Sequence, residues 1–296
     1  MTIDVVYPLG TGSAWNDNEL RFSLRSLMRY VEDLGRIIIV GHKPSWLDVA
    51  SVLHIPMADS KGGKDRNMIR KVLAACDHVS GPFVRMSDDQ CVLRSMRFAD
   101  LPAYGRRAER LGECPTKRWS RNKYHTQQWL AERGLSFHDF DLHCPMPCDP
   151  DIFRQMGEES VWQNGKCTIN TLYGNMAGLI PQLGDILHYH SPPGCHRKIF
   201  SAVRGPMFLN YNNKGLNNCL RYALTVMFPD WSPAETADHS EVFDPNQWMH
   251  GQGNRPQITL DQPQDKSRRR RRQASHARLH TIGPAGRRRL RARRVA

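Results

Sequence analysis

The sequence lacks the features that mark membrane-spanning and secreted proteins. Its 296 residues contain no run of about eighteen apolar residues, so no transmembrane helix is expected. The first residues, MTIDVVYPLG, have no basic segment followed by a long apolar one, so they do not form a secretory signal. We therefore expect a cytoplasmic protein whose eight cysteines are reduced.

Two common phosphate-binding fingerprints are also incomplete. Gly10 and Gly12 follow an apolar run of strand length, but Trp15 stands where a dinucleotide fingerprint needs its third glycine. No Gly-Lys-Ser/Thr ending follows the glycines, which excludes a Walker loop. What remains is a short glycine-rich loop after a predicted first strand. Glycine there lets the backbone or the phosphates of a ligand approach closely.

Net positive charge is small over most of the chain, although the formal net charge is +13. Thirteen basic and two acidic residues at 261–296 give that segment a charge of +11, which leaves +2 for residues 1–260. This Arg-rich segment has no core-forming pattern, so we predict one domain at 1–240 and a linker with a disordered basic tail at 241–296. The tail could bind nucleic acid or an anionic membrane surface by charge alone, and a solubilising extension is the alternative.

Strand-length apolar runs alternate with amphipathic stretches through the first ninety residues. The apolar runs lie at 3–7, 36–40, 52–56 and 82–86. Helical spacing of apolar residues extends over 20–34 and 64–79. This alternation predicts an α/β fold in which helices flank a mainly parallel sheet.

Two adjacent carboxylates, Asp88 and Asp89, follow the predicted strand at 82–86. In an open α/β sheet, ligands bind beyond the carboxyl ends of the strands, where the loop with Gly10 and Gly12 also lies. Two acids at that edge can hold Mg²⁺ or Mn²⁺, which in turn holds a diphosphate. The alternative interpretation is a polar exit from the strand with an Asx turn.

Two arginines and a histidine complete the candidate site. Arg21 and Arg25 lie one turn apart on the predicted first helix and could donate hydrogen bonds where negative charge builds up. A solvated basic helix face is the alternative. His143 could act as the base for an acceptor hydroxyl, and a structural role is the alternative.

Five segments follow one another between about residues 3 and 150: DVVYPLGTGSAW, DNELRFSLRSLMRY, IIIVGHKPSWL, FVRMSDDQ and LHCPMP. Together they resemble the Stealth family of sugar-phosphate transferases and related phage-type glycosyltransferases. The resemblance implies a GT-A-like (Rossmann-like) fold, a nucleotide-sugar donor and a divalent metal. Because GTGS replaces the acidic residue usual in the first loop of the family, either a sugar or a sugar phosphate could be transferred.

The resemblance also implies roles for individual residues. The first loop is expected to contact the nucleotide through Gly10, Thr11, Gly12 and Ser13. Three residues are expected to lie near the diphosphate: Asp17, Glu19 and Arg21. Asp88 and Asp89 are expected to bind the metal, with Asp89 acting in catalysis through it. His143 is expected to contact substrate or to act in catalysis.

The sequence thus predicts a metal-dependent transferase that uses a nucleotide-sugar donor, with a polysaccharide or modified DNA as candidate acceptors. The competing interpretation is a non-enzymatic nucleic-acid-binding protein that acts through its Arg-rich tail.

Overall fold

A five-stranded sheet lies at the centre of the computed structural model, which describes residues 1–236. In chain order the strands are β1 (Ile3–Leu9), β2 (Leu34–Gly41), β3 (Leu53–Pro56), β4 (Phe83–Arg85), β5 (Gln90–Val92), β6 (Met146–Cys148), β7 (Ile186–Tyr189) and β8 (Phe208–Tyr211). The central sheet has the order β3-β2-β1-β4-β6. Its first four strands are parallel, and β6 is antiparallel to β4.

Helices cover both faces of this sheet. They are α1 (Asn18–Tyr30), α2 (Lys64–Cys76), α3 (Arg118–Ala131), α4 (Pro150–Glu158), α5 (Ile169–Met176), α6 (His196–Ala202) and α7 (Asn218–Met227). Because both faces are covered, β1 and β2 are apolar almost throughout rather than alternating. The predicted α/β class, with a mainly parallel sheet flanked by helices, is confirmed.

Two apolar cores lie on the two faces of the sheet. The α1 core packs Leu20, Leu24 and Leu27 of α1 against alternate residues of β1, such as Val5 and Tyr7. The α2 core packs residues of α2, α4 and α5 against the opposite face, which includes Val6 and Ile38. Alternation of side chains along each strand therefore divides β1 between the two cores.

The first helix is shorter than its apolar spacing predicts. It ends at Tyr30, and Val31 is already extended. Leu34, the last residue of the helical spacing in the sequence, and Gly35, where the sequence predicts the end of the helix, instead begin β2. A Cβ atom at Gly35 would come within 2.7 Å of Asp4 Oδ1, so this glycine permits the close approach of β1 and β2.

A second sheet, of order β5-β8-β7, continues from the central one. Strand β5 begins directly after Asp89 and pairs antiparallel with β8, while β7 and β8 are parallel. Hydrogen bonds attach β5 to α1, since Ser23 Oγ donates to Gln90 O and Val92 N donates to Ser26 Oγ. Asp88 and Asp89 therefore occupy the turn between the two sheets.

The last described residues, which we call the 232–236 segment, run beside the loop that follows β2. Asp48 N donates to Ala234 O, and Thr236 N donates to Trp46 O, both at 2.8 Å. The predicted domain boundary at 240 and the predicted disordered tail lie outside the described residues. Between residues 1 and 236, no helix combines the length and the apolar character that crossing a bilayer requires.

Candidate functional site

Most of the predicted site residues, though not Arg21 and Arg25, gather along one edge of the central sheet. Strands β2, β1 and β4 end at this edge, and the antiparallel β6 begins there. In the order of the strands, the edge carries His42, the Gly10–Ser13 loop, the Asp88–Asp89 pair and His143. The acid pair therefore lies between the glycine-rich loop on one side and His143 on the other.

Asp88 and Asp89 are half-buried side by side. Burial raises the pKa of both carboxyls, and the neighbouring charge of Asp88 helps to raise that of Asp89 to about 7. Lys64 acts in the opposite direction on both carboxyls. Asn210 Nδ2 donates to the side chain and to the backbone oxygen of Asp89, each at 3.2 Å. Two crowded carboxylates of this kind favour a positively charged ligand.

Ser13 and Glu19 fix the shape of the loop that follows β1. Ser13 Oγ donates to Glu19 Oε2 at 2.7 Å and accepts from the backbone N–H groups of Trp15 and Asp17. Ala14 N donates to the other carboxylate oxygen of Glu19. Burial raises the pKa of Glu19, and Asp88 adds to this effect, so the two acids lie close enough to interact. Glu19 is thus a buried support of the loop at the acid pair.

The tip of this loop is open. Thr11 and Gly12 are exposed, and a Cβ atom at Gly12 would meet nothing within 4 Å. A Cβ atom at Gly10 would make only ordinary contact, at 3.4 Å, with Asp59. Asp59 is held by the buried Lys71, whose ammonium group also donates to Leu9 O at the end of β1. The loop is therefore firmly held at its base and leaves space above Gly12.

Backbone strain is concentrated at this edge of the sheet. Asn16, Asp17 and His143 are the non-glycine residues with positive φ in the described chain, at 51°, 58° and 54°. Asp17 Oδ2 lies 3.0 Å from His42 Nε2, which holds the start of α1 against the end of β2. Strained residues of this kind cluster at functional sites, where the surrounding structure holds them in place.

Arg21 and Arg25 are not positioned to meet a diphosphate. Their guanidinium groups pair with Glu235 at 3.1 and 2.7 Å, and the three side chains are 0–3% exposed. Arg21 also stacks over Trp46, at 4.4 Å from the ring centroid. Both arginines therefore join α1 to the 232–236 segment, and their predicted roles at the donor do not fit this location.

The cation that does act on the acid pair is Lys64, which the sequence interpretation missed. It is exposed, begins α2 and follows Gly62 and Gly63, whose φ values are positive. Its charge lowers the pKa of Asp88, of Asp89 and of His143. The signal in the sequence was GGKD immediately before an amphipathic stretch.

Buried Arg85, the last residue of β4, is a second missed cation. Its guanidinium group donates to Asn170 Oδ1 of α5 at 2.7 Å. Burial lowers the pKa of Arg85, and the charges of Asp65, Asp89 and Asp141 counteract the effect. A charged residue inside the apolar strand FVRM was the available signal.

His143 belongs to a group of rings that we call the aromatic cluster, formed by Trp119, His143, His188 and His190. The ring of His143 is stacked 6.3 Å from Trp119 and meets His188 edge-on at 5.0 Å. His188 is stacked on His190 at 3.6 Å. Although His143 keeps an exposed surface, withdrawal from water and the charges of Lys64 and Arg85 lower its pKa to about 4.

The second sheet connects the aromatic cluster to the acid pair. His188 of β7 is the register partner of Asn210 of β8, so the two side chains share one face of that sheet. Asn210 on this face bonds to Asp89. On this face, His188 Nε2 and Asn210 Oδ1 are among the buried side-chain atoms without a hydrogen-bond partner in the described residues. Buried polar atoms are rarely left unpaired, so a bound ligand or water is expected here.

The two aspartates supply only part of a metal coordination shell. In the part of the chain that the structure describes, no group of three or more His, Cys, Asp or Glu side chains is arranged to hold a metal ion. Mg²⁺, however, is commonly held by one or two carboxylates together with substrate phosphates and water. The donor set of Asp88 and Asp89 therefore fits a metal that arrives with, or is completed by, a diphosphate.

Comparison with known proteins finds no matching family model and no matching curated protein. Among solved structures, the chain is similar to a putative glucose-1-phosphate thymidylyltransferase from Bacillus anthracis in complex with a sucrose. The identity is 12%, over 78% of this chain and 96% of that chain, with a TM-score of 0.40. A likeness at this level carries no argument about the function of the chain.

Proposed function

We propose that this protein is a metal-dependent transferase that takes a nucleotide-sugar donor and moves the sugar, or the sugar phosphate, to an acceptor. The observation that carries the proposal is the crowded pair of Asp88 and Asp89 at the carboxyl edge of the sheet. Burial raises the pKa of both carboxyls, and the charge of Asp88 further raises that of Asp89, so a divalent cation bound by the pair would stabilise their ionised forms.

Asp88 and Asp89 would hold Mg²⁺ or Mn²⁺, with the donor diphosphate completing the coordination. When bound, the metal would neutralise charge on the leaving diphosphate. Lys64 lies close enough to affect both carboxyls, and it is exposed. Its ammonium group can therefore turn to the diphosphate and take the role that the sequence assigned to Arg21 and Arg25.

The remaining residues would position the two substrates. The open space above Gly12 would receive the nucleotide, and the Ser13–Glu19 hydrogen bond would keep the loop in shape. His143 is neutral at neutral pH because its pKa is lowered to about 4. A base with so low a pKa takes up a proton poorly, so the neutral imidazole would accept a hydrogen bond from the acceptor hydroxyl and orient it towards the sugar.

Substitution of Asp89 by asparagine tests the proposal. The assay is hydrolysis of UDP-, GDP-, CMP- and TDP-sugars, with thermal unfolding of the same samples with and without Mn²⁺. We expect D89N to stay folded, to lose about 100-fold or more in turnover, and to lose the stabilisation by Mn²⁺. The matched control is D151N, whose carboxylate is 81% exposed on α4. Unchanged turnover in D89N would remove the metal role.

The Arg-rich segment at 261–296 carries the competing function, nucleic-acid binding. Its charge of +11 is the observation in its favour. The test deletes residues 261–296 and follows DNA binding against salt, because binding through phosphates weakens steeply as salt rises. Full donor turnover by the truncated chain would make the segment an accessory. DNA binding with no donor turnover in the intact chain would favour the competing function.

A further inference from the structure

We propose that the aromatic cluster is the acceptor subsite, and that the acceptor is a neutral sugar ring of a glycan. The proposal builds on the transferase function proposed above and names the class of its second substrate. Trp119 would provide the surface on which the ring stacks, and the histidines would bond to its hydroxyls.

The position of the cluster suits an acceptor. Along the sheet edge, the glycine-rich loop proposed for the nucleotide lies on one side of Asp88 and Asp89, and His143 lies on the other. His188 shares a sheet face with Asn210, which contacts Asp89. A molecule bound at the cluster would therefore approach a donor from the side of the acid pair away from the loop proposed for its nucleotide.

The open surface of Trp119 suits a sugar ring. Trp119 lies in the first turn of α3 and is 47% exposed, whereas most large apolar side chains of the domain are buried. Its ring is held in place by stacking with His143 and by Lys123 Nζ, 4.9 Å from its centroid. A rigid aromatic ring offers a large contact area at a small cost in conformational entropy.

The histidines offer hydrogen bonds that a hydroxyl group can satisfy. A neutral imidazole has one donor nitrogen and one acceptor nitrogen, and a hydroxyl can both donate and accept. His188 Nε2 has no partner among residues 1–236, although it is buried. His190 is exposed and stacked on His188, which extends the polar edge of the cluster outward.

The charge of the cluster favours a neutral ligand over DNA. The environment of His143 and His188 lowers the pKa of each to about 4, so both are uncharged at neutral pH. Lys123, whose ammonium group lies over the Trp119 ring, is paired with Asp139 at 2.7 Å. Nucleic-acid sites depend on lysines and arginines that are available to phosphates. The neutral imidazoles of His143 and His188 favour the glycan of the two candidate acceptors, and the DNA arm of the test addresses the exposed Lys117, Arg118 and Arg121 beside Trp119.

The test measures binding to the full-length chain by saturation-transfer NMR. The ligands are maltose, cellobiose, lactose and diacetylchitobiose, with a single-stranded DNA oligonucleotide as the competing class. We expect at least one saccharide to bind, W119A and H188A to weaken it about tenfold or more, and W119F to retain most of the binding. The matched control is W231A, because Trp231 is also exposed, at 55%, and lies outside the cluster.

The outcomes separate this proposal from the proposed function. Saccharide binding lost in W119A, with UDP and Mn²⁺ binding unchanged, supports the acceptor subsite. Saccharide binding that is absent in the wild type or unaffected by W119A overturns it. DNA binding that depends on Trp119 also overturns it and assigns the cluster to nucleic acid. If the wild type neither binds nor hydrolyses any nucleotide-sugar, the transferase function and the acceptor role both fail, although Trp119-dependent sugar binding would remain as a finding.

Discussion

Glu235 is predicted to be among the most important single side chains for the stability of this domain. Its carboxylate accepts hydrogen bonds from Arg21 Nη1, from Arg25 Nε and Nη2, and from the backbone of Ser232, at 2.7–3.1 Å. The substitution Glu235→Ala removes all four acceptor contacts. It leaves two guanidinium groups in a place where they have almost no access to water.

The expected loss follows from that burial. Removing one partner of a buried ion pair costs about 3–5 kcal/mol, because the remaining charge keeps its desolvation penalty. Neither arginine can turn outward easily, since Arg21 stacks over Trp46 and Arg25 over Phe22, which are both buried. For a domain of this size, each kcal/mol lowers Tm by about 2–4 °C, so Tm should fall by about 6–20 °C.

Urea unfolding of the full-length chain, followed by circular dichroism, measures this loss. The matched control is Asp185→Ala, which breaks an exposed ion pair with Arg94 and should cost less than about 0.5 kcal/mol. A loss below about 1 kcal/mol for Glu235→Ala would refute the reasoning. So would an Arg21→Lys variant that weakens donor binding while the free energy of unfolding stays unchanged, because Arg21 would then serve the donor.

Three further predictions concern stability. Burial, Asp65 and Asp139 raise the pKa of Asp141 from 3.8 to about 6, so the folded state favours the protonated carboxyl. The stabilisation that this protonated carboxyl contributes is lost as pH rises through that range. Asp141→Asn should therefore be up to about 3 kcal/mol more stable than the wild type at pH 8 but not at pH 3, and a gain at both pH values would contradict this. Tyr211→Phe, which removes a buried hydroxyl without a described partner, should leave the free energy of unfolding unchanged or raise it by up to about 1 kcal/mol; a loss above about 2 kcal/mol in urea would count against it. Gly165→Ala should cost well over 1 kcal/mol, because φ is +69° and a Cβ atom would collide with Gly62 O, and it should cost more than Gly178→Ala, where φ is +63° and the space is open.

The order of the main elements could be predicted because apolar spacing depends only on neighbouring residues. The parallel strands and the first two long helices follow from it. The end of α1 could not be predicted, because Val31 and Leu34 keep the helical spacing while the backbone has already become extended. Strand β6 is only three residues long and antiparallel, and its pairing with β4 depends on the folded chain rather than on its own sequence.

Some features of the candidate site could likewise be predicted from the sequence, and others could not. The location of Asp88 and Asp89 at the carboxyl edge follows from the strand that precedes them, so the sequence was sufficient. The partner of Arg21 and Arg25 is more than 200 positions away, and no local pattern could indicate that Glu235 would bury them. The aromatic cluster likewise depends on the second sheet, which brings His188 and His190 to His143. The metal role of Asp88 and Asp89 stays a prediction.

The two cores of the central sheet differ in when they can be completed during synthesis. The buried residues of the α2 core end at Tyr173, whereas the α1 core also needs Phe208 and Ala234. Since chains emerge from the ribosome amino end first and elements can pack as they appear, the α2 face of the sheet can close while the α1 face is still exposed. The nascent chain should therefore pass through a state in which one side of the sheet is open, and chaperone binding or aggregation would act on that side.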